Sequence, residues 1–325
     1  MTEPLVHVRD LQIRFVTRDA TVHAVNGVDF DLAPQEALCI LGESGSGKSV
    51  TLRALMRLNP ARRTQMTGTV RVAGHDIAGA SERKMEDIRG GVVSMIFQEP
   101  MTALDPVFTV GRQITETIRR HERGVSQADA ERRALELFEL VQIPSAQRRL
   151  AAYPHELSGG LRQRAMIAMA LSCRPKLLLA DEPTTALDAT VQIQILLLLR
   201  RLQQELGMGV IFVTHDLGVA SEVADRIAVM YAGRFVEEGP VSALLRSPLH
   251  PYAQGLLEAT VHARMRGKPL ATIPGAPPNL EQLPRGCAFA PRCGYAEPSC
   301  LTHAPEPRRP QPGRAARCLM VPEAA

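Results

Sequence analysis

The chain has 325 residues, 45% of them apolar, and a formal net charge of +4 at pH 7. It is long enough for a full globular core, so we expect one large domain with an appendage, or two domains. The small charge gives weak support to nucleic-acid binding, and the longest apolar run, residues 191–199, is too short and interrupted to cross a bilayer. Residues 1–20 carry too many charges for a signal peptide, so we expect a cytosolic protein without structural disulfides.

Two strands are predicted near the start of the chain, over residues 5–15 and 22–32, with a polar turn between them. Phe15 lies at the end of the first strand. It is either one more core aromatic or a ring that stacks on adenine at the edge of a nucleotide site, and the residues leave both interpretations open.

A glycine-rich turn follows the apolar strand predicted over residues 37–41 and precedes a helix predicted over residues 50–58. Strand, glycine-rich turn and helix, with this spacing of Gly, Lys and Ser, indicate a phosphate-binding P-loop. We expect Lys48 to reach the β- and γ-phosphates of a nucleoside triphosphate and the Ser49 hydroxyl to bind Mg²⁺. The predicted nucleotide-binding residues of this turn are Gly42, Glu43, Ser44, Gly45, Ser46, Gly47, Lys48, Ser49 and Val50.

The next segment contains a strand over residues 68–74 and a buried strand over residues 91–97. The second of these ends in Gln98, just before Pro100 directs the chain out of regular structure. Apolar residues at helical spacing then predict helices over residues 110–122 and 128–140, so the middle third is mostly helical.

A second glycine turn, Ser158-Gly159-Gly160, precedes a helix predicted over residues 161–171. Open backbone N–H groups at a helix start can bind an anion. A Ser-Gly-Gly turn taken alone, however, is usually only a helix cap.

A continuous apolar strand, residues 177–180, ends in two carboxylates, Asp181 and Glu182. A central parallel strand delivers acids to its C-terminal edge, where Asp181 can hold Mg²⁺ and Glu182 can polarise a water for attack on the γ-phosphate. The alternative is an Asp-Glu turn or helix cap. Asp188 then opens a helix that ends at Gly207, and His215 follows a buried strand over residues 209–214, at the same predicted edge.

The C-terminal part has a hairpin over residues 227–238, a Pro-rich linker over residues 274–284 and a cysteine-rich tail. Four of the six cysteines fall within 32 residues: Cys287, Cys293, Cys300 and Cys318. Four cytosolic thiols indicate an iron–sulfur centre or zinc, and the absence of paired Cys-x-x-Cys spacing favours a cluster. Unligated thiols are the third alternative, and Cys39 and Cys173 are interpreted as inert packing residues.

The P-loop, Gln98, residues 157–160, residues 177–182, Ala186-Leu187-Asp188 and His215 together resemble the ordered motif set of an ABC-transporter nucleotide-binding subunit, over roughly residues 5–260. The resemblance implies a RecA-like α/β P-loop ATPase core, an antiparallel β subdomain and an inserted helical subdomain over about residues 100–173. The ATPase domain then spans residues 1–260, and a loop-rich cysteine extension spans residues 261–325. Such subunits dimerise head to tail, with ATP between the P-loop of one and the Ser158–Gly160 turn of the other.

The same resemblance implies roles for the remaining site residues. Gln98 senses the γ-phosphate, couples it to the membrane subunits and joins Ser49 and Asp181 at Mg²⁺. Lys48, Glu182 and His215 form the catalytic group. Further contacts to ATP are implied for Phe15, Ser158, Gly159, Gly160 and Asp188.

The tail and residues 247–252 resemble the ending of the oligopeptide, dipeptide and nickel importers, most of all the D-type ATP-binding subunit. This implies a [4Fe–4S] cluster on the four tail cysteines and a peripheral position at the cytoplasmic face of the inner membrane. The implied partners are two permeases, a paralogous ATP-binding subunit or a second copy, and an external binding protein, with no nucleic acid.

The resulting hypothesis is an ATPase that drives import of di- or oligopeptides. Nickel or glutathione remains an alternative cargo, because this subunit does not touch the cargo. A soluble ABC ATPase acting on ribosomes or DNA is the alternative of a different class, although the chain has one P-loop and no sustained heptads. A redox- or metal-sensing role of the tail is compatible with the first hypothesis.

Overall fold

The computed structural model describes residues 3–98, 103–185, 187–259 and 272–323. These residues form two compact units of mixed α/β structure. The first unit comprises residues 1–5, 33–36 and 79–212, and the second comprises residues 6–32, 37–78 and 213–325, as far as these segments are described. Each unit is therefore assembled from separate segments of the chain.

The second unit contains an antiparallel sheet of order β2-β1-β4-β5 and a further set of strands of order β11-β12-β10-β9-β3. Its strands are β1 Val6–Val16, β2 Thr21–Leu32, β3 Ala37–Leu41, β4 Thr64–Val72, β5 His75–Asp76, β9 Arg226–Tyr231, β10 Arg234–Pro240, β11 Arg308–Gln311 and β12 Arg314–Ala316. Its helices are α1 Lys48–Ala54, α8 Leu217–Val223, α9 Val241–Arg246, α10 Pro251–Ala259 and α11 Pro298–Thr302. All five residues of β3 are buried, and β3 runs parallel to β9, so the strand before the glycine-rich turn lies in the core.

The first unit contains strands β6 and β7, paired in parallel, and most of β8 next to β7. Its strands are β6 Val93–Ile96, β7 Leu177–Asp181 and β8 Gly209–Thr214, of which the last two residues belong to the second unit. Its helices are α2 Glu82–Gly91, α3 Val110–His121, α4 Gln127–Leu140, α5 Ala146–Leu150, α6 Gly159–Leu171 and α7 Ala189–Leu206. Helices α3 to α6 pack on one another, so the middle third of the chain is mostly helical, as predicted.

The predicted strands and helices are confirmed, with shifts of a few residues at their ends. The first helix begins at Lys48 instead of Val50, because Gly47 already occupies its N-cap position. Strand β4 begins at Thr64 instead of Gly68, because Thr64 still pairs with Phe15 of β1. Helix α7 is capped by Asp188 and ends at Gly207, in a left-handed conformation (φ 64°), as the sequence predicts.

The C-terminal extension is less irregular than its loop-rich sequence indicates. Strands β11 and β12 form a hairpin, and β12 pairs antiparallel with β10 through Glu237 and Glu238. The tail thereby joins the sheet of the second unit.

The start of the predicted C-terminal extension, residues 261–271, lies outside the described residues, as do Glu99, Pro100 and Ala186. Within the described residues, no helix has the length and apolar character needed to cross a membrane.

Candidate nucleotide site and cysteine cavity

The glycine-rich turn has a shape that only glycine permits at its most constrained positions. Gly47 has a φ of 106°, and a Cβ atom there would lie 2.4 Å from the carbonyl oxygen of Ala24. A Cβ on Gly42 would lie 2.2 Å from the carbonyl oxygen of Met230. Both distances are far below any normal carbon–oxygen contact, so side chains at these positions would force the backbone apart.

Lys48 begins α1 and is almost fully buried, with 4% exposure. Its Nζ donates to the carbonyl oxygens of Gly42 at 2.8 Å and Glu43 at 2.9 Å, so the ammonium group lies across the turn that precedes it. The hydroxyl of Ser46 is buried and has no hydrogen-bond partner within the described part of the chain. A buried cation and an unpaired hydroxyl in a curled glycine turn at a helix start are suited to binding an oxyanion.

The other residues of the turn are more accessible. Ser44 and Gly45 are exposed, and Ser49 and Val50 are half-buried in the first turn of α1. The Ser49 hydroxyl is a hard oxygen donor of the kind that Mg²⁺ prefers.

Phe15 lies near the end of β1, paired with Val22 of β2 and Thr64 of β4, and is half-buried. Full burial would have favoured the core interpretation. The observed exposure leaves part of the residue accessible for stacking, so its role stays a prediction.

In the first unit, the predicted catalytic carboxylate is held by two side chains. Glu182 Oε2 accepts hydrogen bonds from Gln98 Nε2 at 3.0 Å and from Thr185 Oγ1 at 2.9 Å. Glu182 has a φ of 45°, which is uncommon for a residue other than glycine, directly after the buried end of β7. Asp181, the last residue of β7, is 1% exposed. The structure therefore joins Gln98, which follows β6, by a hydrogen bond to Glu182, which follows Asp181 at the end of β7.

The Ser158-Gly159-Gly160 turn is the N-terminus of α6. The hydroxyl of Ser158, which is exposed, accepts from the backbone N–H of Leu161 at 3.4 Å. Cβ atoms on the two glycines would meet side chains of the α7 start, Leu187 at 3.4 Å and Val191 at 2.9 Å. This turn therefore lies against the residues that follow the strand-end carboxylates.

Asp188 and His215 both lie where a strand gives way to a helix. Asp188 is exposed and its carboxylate accepts from the N–H of Val191 at 3.0 Å, as the cap of α7. His215 is exposed between β8 and α8, whose N-cap is the neighbouring Asp216. The P-loop, Phe15 and His215 belong to the second unit, and the other predicted ATP-site residues belong to the first.

The sequence interpretation missed the partners of Glu43. Its carboxylate pairs with Arg292 of the cysteine-rich tail, and its backbone N–H donates to the hydroxyl of Tyr252 at 2.8 Å. These residues are far from Glu43 in sequence, and no local pattern links them to it. The only sequence signal near Arg292 is the adjacent predicted ligand, Cys293.

The four tail cysteines line one cavity, together with Phe289, His250 and other tail residues. Burial raises the pKa of the Cys287 and Cys293 thiols, and the neighbouring Cys300 and Cys318 raise both further. Among the described residues, however, no group of three or more His, Cys, Asp or Glu side chains is arranged to hold a metal ion. The cysteine thiols are suitable ligands for a metal ion or a cluster. The side chains of the described residues are not arranged as a coordination shell.

The two other cysteines are buried, Cys39 in β3 and Cys173 beyond α6. Burial is the largest cause of the raised pKa of each thiol. Both therefore stay protonated and unreactive at neutral pH, in line with a packing role.

Comparison with known proteins decides the family. A family profile described as ABC transporter matches residues 25–185, and a profile described as the C-terminal region of oligopeptide/dipeptide transporters matches residues 236–300. In an alignment 336 residues long, the chain is 48% identical to a protein of Brucella melitensis biotype 1. That protein is by name a peptide import ATP-binding protein, and the alignment covers 99% of each chain. The chain belongs to the ABC transporter ATP-binding proteins. A Brucella abortus protein of the same name is also 48% identical, over 98% of this chain and 95% of its own.

Solved structures of ABC cassettes have the same fold. A dimeric ATP-binding cassette in a post-hydrolysis state bound to ADP and Pi has a TM-score of 0.65 and 29% identity, covering 73% of this chain and 98% of its own. A second dimeric structure of the same cassette, described as a bacterial ABC transporter cassette, also has a TM-score of 0.65, at 28% identity. The RecA-like fold expected from the motifs is confirmed, and this ABC protein is an ATPase.

Proposed function

We propose that this ABC protein is the ATP-hydrolysing subunit that powers import of di- and oligopeptides through a membrane transporter. The observation that carries the proposal is similarity along the whole chain to peptide import ATP-binding proteins, including the oligopeptide/dipeptide region matched at residues 236–300. Nickel or glutathione is the alternative cargo, because the subunit that binds ATP would not touch the cargo.

The P-loop would hold the triphosphate through its backbone N–H groups and Lys48. The burial of Lys48 in a curled turn supports this role, because a cation there faces little competition from water. Ser49, Gln98 and Asp181 would hold Mg²⁺, for which hydroxyl, amide and carboxylate oxygens are suitable ligands. When bound, the ion would neutralise charge on the β- and γ-phosphates.

Glu182 would take a proton from the attacking water. Its hydrogen bonds with Gln98 and Thr185 support this role, because they orient the carboxylate before the reaction. Gln98, as the direct partner of Glu182, would link the γ-phosphate to the membrane subunits. His215 would stabilise the transition state, and Phe15 would stack on adenine.

The Ser158–Gly160 turn and Asp188 would complete the ATP site of a second ATP-binding subunit, either a second copy or a paralogue. The exposure of Ser158 at the start of α6 supports this, because a partner could reach it. Two permeases and an external binding protein would complete the importer, with this subunit peripheral at the cytoplasmic face of the membrane.

The test of the ATPase mechanism is Glu182→Gln, with Lys48→Ala as the contrasting variant. Glu182→Gln preserves the size of the side chain, so we expect ATP to bind and trap a closed dimer while hydrolysis falls by about 10² or more. Lys48→Ala should lose ATP binding itself. Nucleotide titration, gel filtration and phosphate release measure the three properties, and wild-type hydrolysis in Glu182→Gln would contradict the role of the base.

The cargo and the class of protein are tested in cells. Deletion of the gene should abolish uptake of a labelled dipeptide, and the wild-type chain, but not Glu182→Gln, should restore it. Restored nickel uptake with unchanged peptide uptake would favour the alternative cargo. Co-purification with ribosomes or DNA instead of permeases would favour a soluble ABC ATPase.

We further propose that the cysteine cavity binds a [4Fe–4S] cluster, with zinc as the alternative. Its support is the convergence of all four tail cysteines on one cavity. Anaerobic purification of the wild type should give about four iron and four sulfide per chain with a matching visible spectrum. Cys293→Ser should lose both and the control Cys173→Ser should retain them, whereas zinc or no metal in the wild type would reject the cluster.

A further inference from the structure

Arg292 of the tail contacts the P-loop residue Glu43. Arg292 ends a short 3₁₀ helix, Ala290–Arg292, and its guanidinium pairs with both carboxylate oxygens of Glu43. The distances are 2.7 Å from Nη1 to Oε2 and 3.0 Å from Nη2 to Oε1. Such a two-point pair fixes the direction of the carboxylate as well as its distance.

Every N–H donor of the Arg292 guanidinium has a hydrogen-bond acceptor. Its side chain is 4% exposed, and its remaining donors bond to the carbonyl oxygen of Pro274 at 2.8 Å, that of Ile273 at 3.3 Å and the Tyr231 hydroxyl at 3.3 Å. With the two bonds to Glu43, these occupy the five N–H donors of a guanidinium. A buried cation with a full set of acceptors has one well-defined position.

Aromatic packing fixes the segment that carries Arg292. The Phe289 ring lies 5.3 Å from the ring of Tyr231 and 5.4 Å from that of Tyr252, centroid to centroid. His250 packs on Phe289 as well, and burial lowers its pKa to about 4, so its neutral Nδ1 accepts from the N–H of Tyr252. The tail is therefore anchored on the same tyrosines that contact Glu43 and Arg292.

Glu43 is held on three sides. Its carboxylate pairs with Arg292, its N–H donates to Tyr252, and its carbonyl oxygen accepts from Lys48 Nζ at 2.9 Å. The two contacts from the C-terminal part thus act on the residue whose carbonyl group positions the P-loop lysine. A shift of Glu43 would be passed to Lys48 through a single peptide unit.

We infer that Arg292 is a positioning residue for ATP binding, which acts through Glu43 to hold the P-loop in its binding shape. The inference rests on the proposed role of the P-loop and Lys48 in holding the triphosphate. It makes ATP affinity depend on the attachment of the cysteine-rich tail, 249 residues from Glu43 in sequence.

The chain offers a matched control, Arg314. It also belongs to the tail, its side chain is also nearly buried at 5% exposure, and it also pairs with a glutamate, Glu237, at 3.1 Å. Its other contacts are to Ser247, and none of these groups belongs to the P-loop. Arg314→Gln therefore removes an equivalent buried ion pair between tail and core without touching Glu43.

The experiment measures the Kd for MgATP and the thermal midpoint of the purified full chain for Arg292→Gln, Arg292→Lys and Arg314→Gln. We expect Arg292→Gln to raise the Kd about tenfold or more. Arg292→Lys, which keeps the charge, should recover part of the affinity. Arg314→Gln should lower the thermal midpoint but leave the Kd within about twofold of the wild type.

A double variant tests the route through Glu43. If Arg292 acts through this carboxylate, Arg292→Gln should change the Kd little further in a Glu43→Gln background. Equal changes of Kd in Arg292→Gln and Arg314→Gln, or additive effects of Arg292→Gln and Glu43→Gln, would overturn the inference. If Arg292→Gln does not fold, wild-type affinity in the Glu43→Gln single variant overturns it. Failure of the wild-type chain to bind ATP would overturn the proposed function, and the inference with it.

Discussion

The two glycine turns of the predicted ATP site are built in different ways. The P-loop is buried at Gly42, Gly47 and Lys48, and backbone carbonyl groups lie too close to Gly42 and Gly47 to tolerate side chains there. The Ser158-Gly160 turn is more open: Ser158 is exposed, and its glycines would meet only side chains of the α7 start.

The comparison distinguishes two reasons for glycine. The fold itself requires glycine at Gly42 and Gly47, whereas Gly159 leaves room for another molecule. A positive φ and a carbonyl oxygen at 2.4 Å explain Gly47 from the structure of this chain alone. Nothing comparable constrains Gly159, whose Cβ would make an ordinary contact at 3.4 Å. Its lack of a side chain would leave room for the partner in the proposed dimer.

The largest effect on the free energy of unfolding is expected for Gly47→Ala, and comparison with Gly159→Ala tests this contrast directly. Gly47→Ala should lower the free energy of unfolding by about 2 kcal/mol or more, because the new Cβ strains the backbone and clashes with the Ala24 carbonyl. The same exchange at Gly159 should change it by less than about 1 kcal/mol. Chemical denaturation of the two variants measures both values, and equal losses would mean that the two turns are constrained alike.

Substitution of Ser158 is expected to lower the free energy of unfolding less than Gly47→Ala does, but to affect dimerisation strongly. Ser158→Arg should cost about 1 kcal/mol through loss of the helix cap, and should block ATP-dependent dimerisation by its bulk and charge. ATP binding by the monomer should stay within about twofold of the wild type, because the P-loop is unchanged. Light scattering with and without MgATP in the Glu182→Gln background reports dimerisation.

Ser126→Arg is the matched control for that experiment. Ser126 is also an exposed serine at a helix N-cap in the first unit, and it accepts from the N–H of Asp129 at 3.1 Å. Its replacement should cost similar stability and leave dimerisation intact. Dimers in Ser158→Arg, or their loss in Ser126→Arg as well, would contradict a specific role of Ser158 in the dimer.

Much of the fold follows from local patterns in the sequence. The apolar run of β3 and the capping residues of α7, Asp188 and Gly207, fix those elements to within a residue. The glycine and lysine spacing also identifies the P-loop from the sequence. The carbonyl groups that require glycine at Gly42 and Gly47, however, belong to Met230 and Ala24, in other segments of the chain. The sequence predicted Gln98 and Glu182 each at the end of a strand, and packing decided that their side chains form a hydrogen bond.

Local sequence patterns do not predict the contacts of the C-terminal extension. The sequence identifies a linker and four cysteines, but not that β12 pairs with β10 or that Arg314 reaches the buried Glu237. Arginine-rich, proline-rich segments carry no periodic pattern, so only the available edge of β10 selects their conformation.

The sequence by itself therefore determined the P-loop, the strand-end acids and the order of the elements, because each depends on residues close together in the chain. The tertiary structure alone decided that Glu43 is held by Tyr252 and Arg292. Those contacts join residues far apart in sequence, and Phe289 packs on Tyr231 and Tyr252 beside them, which no local pattern encodes.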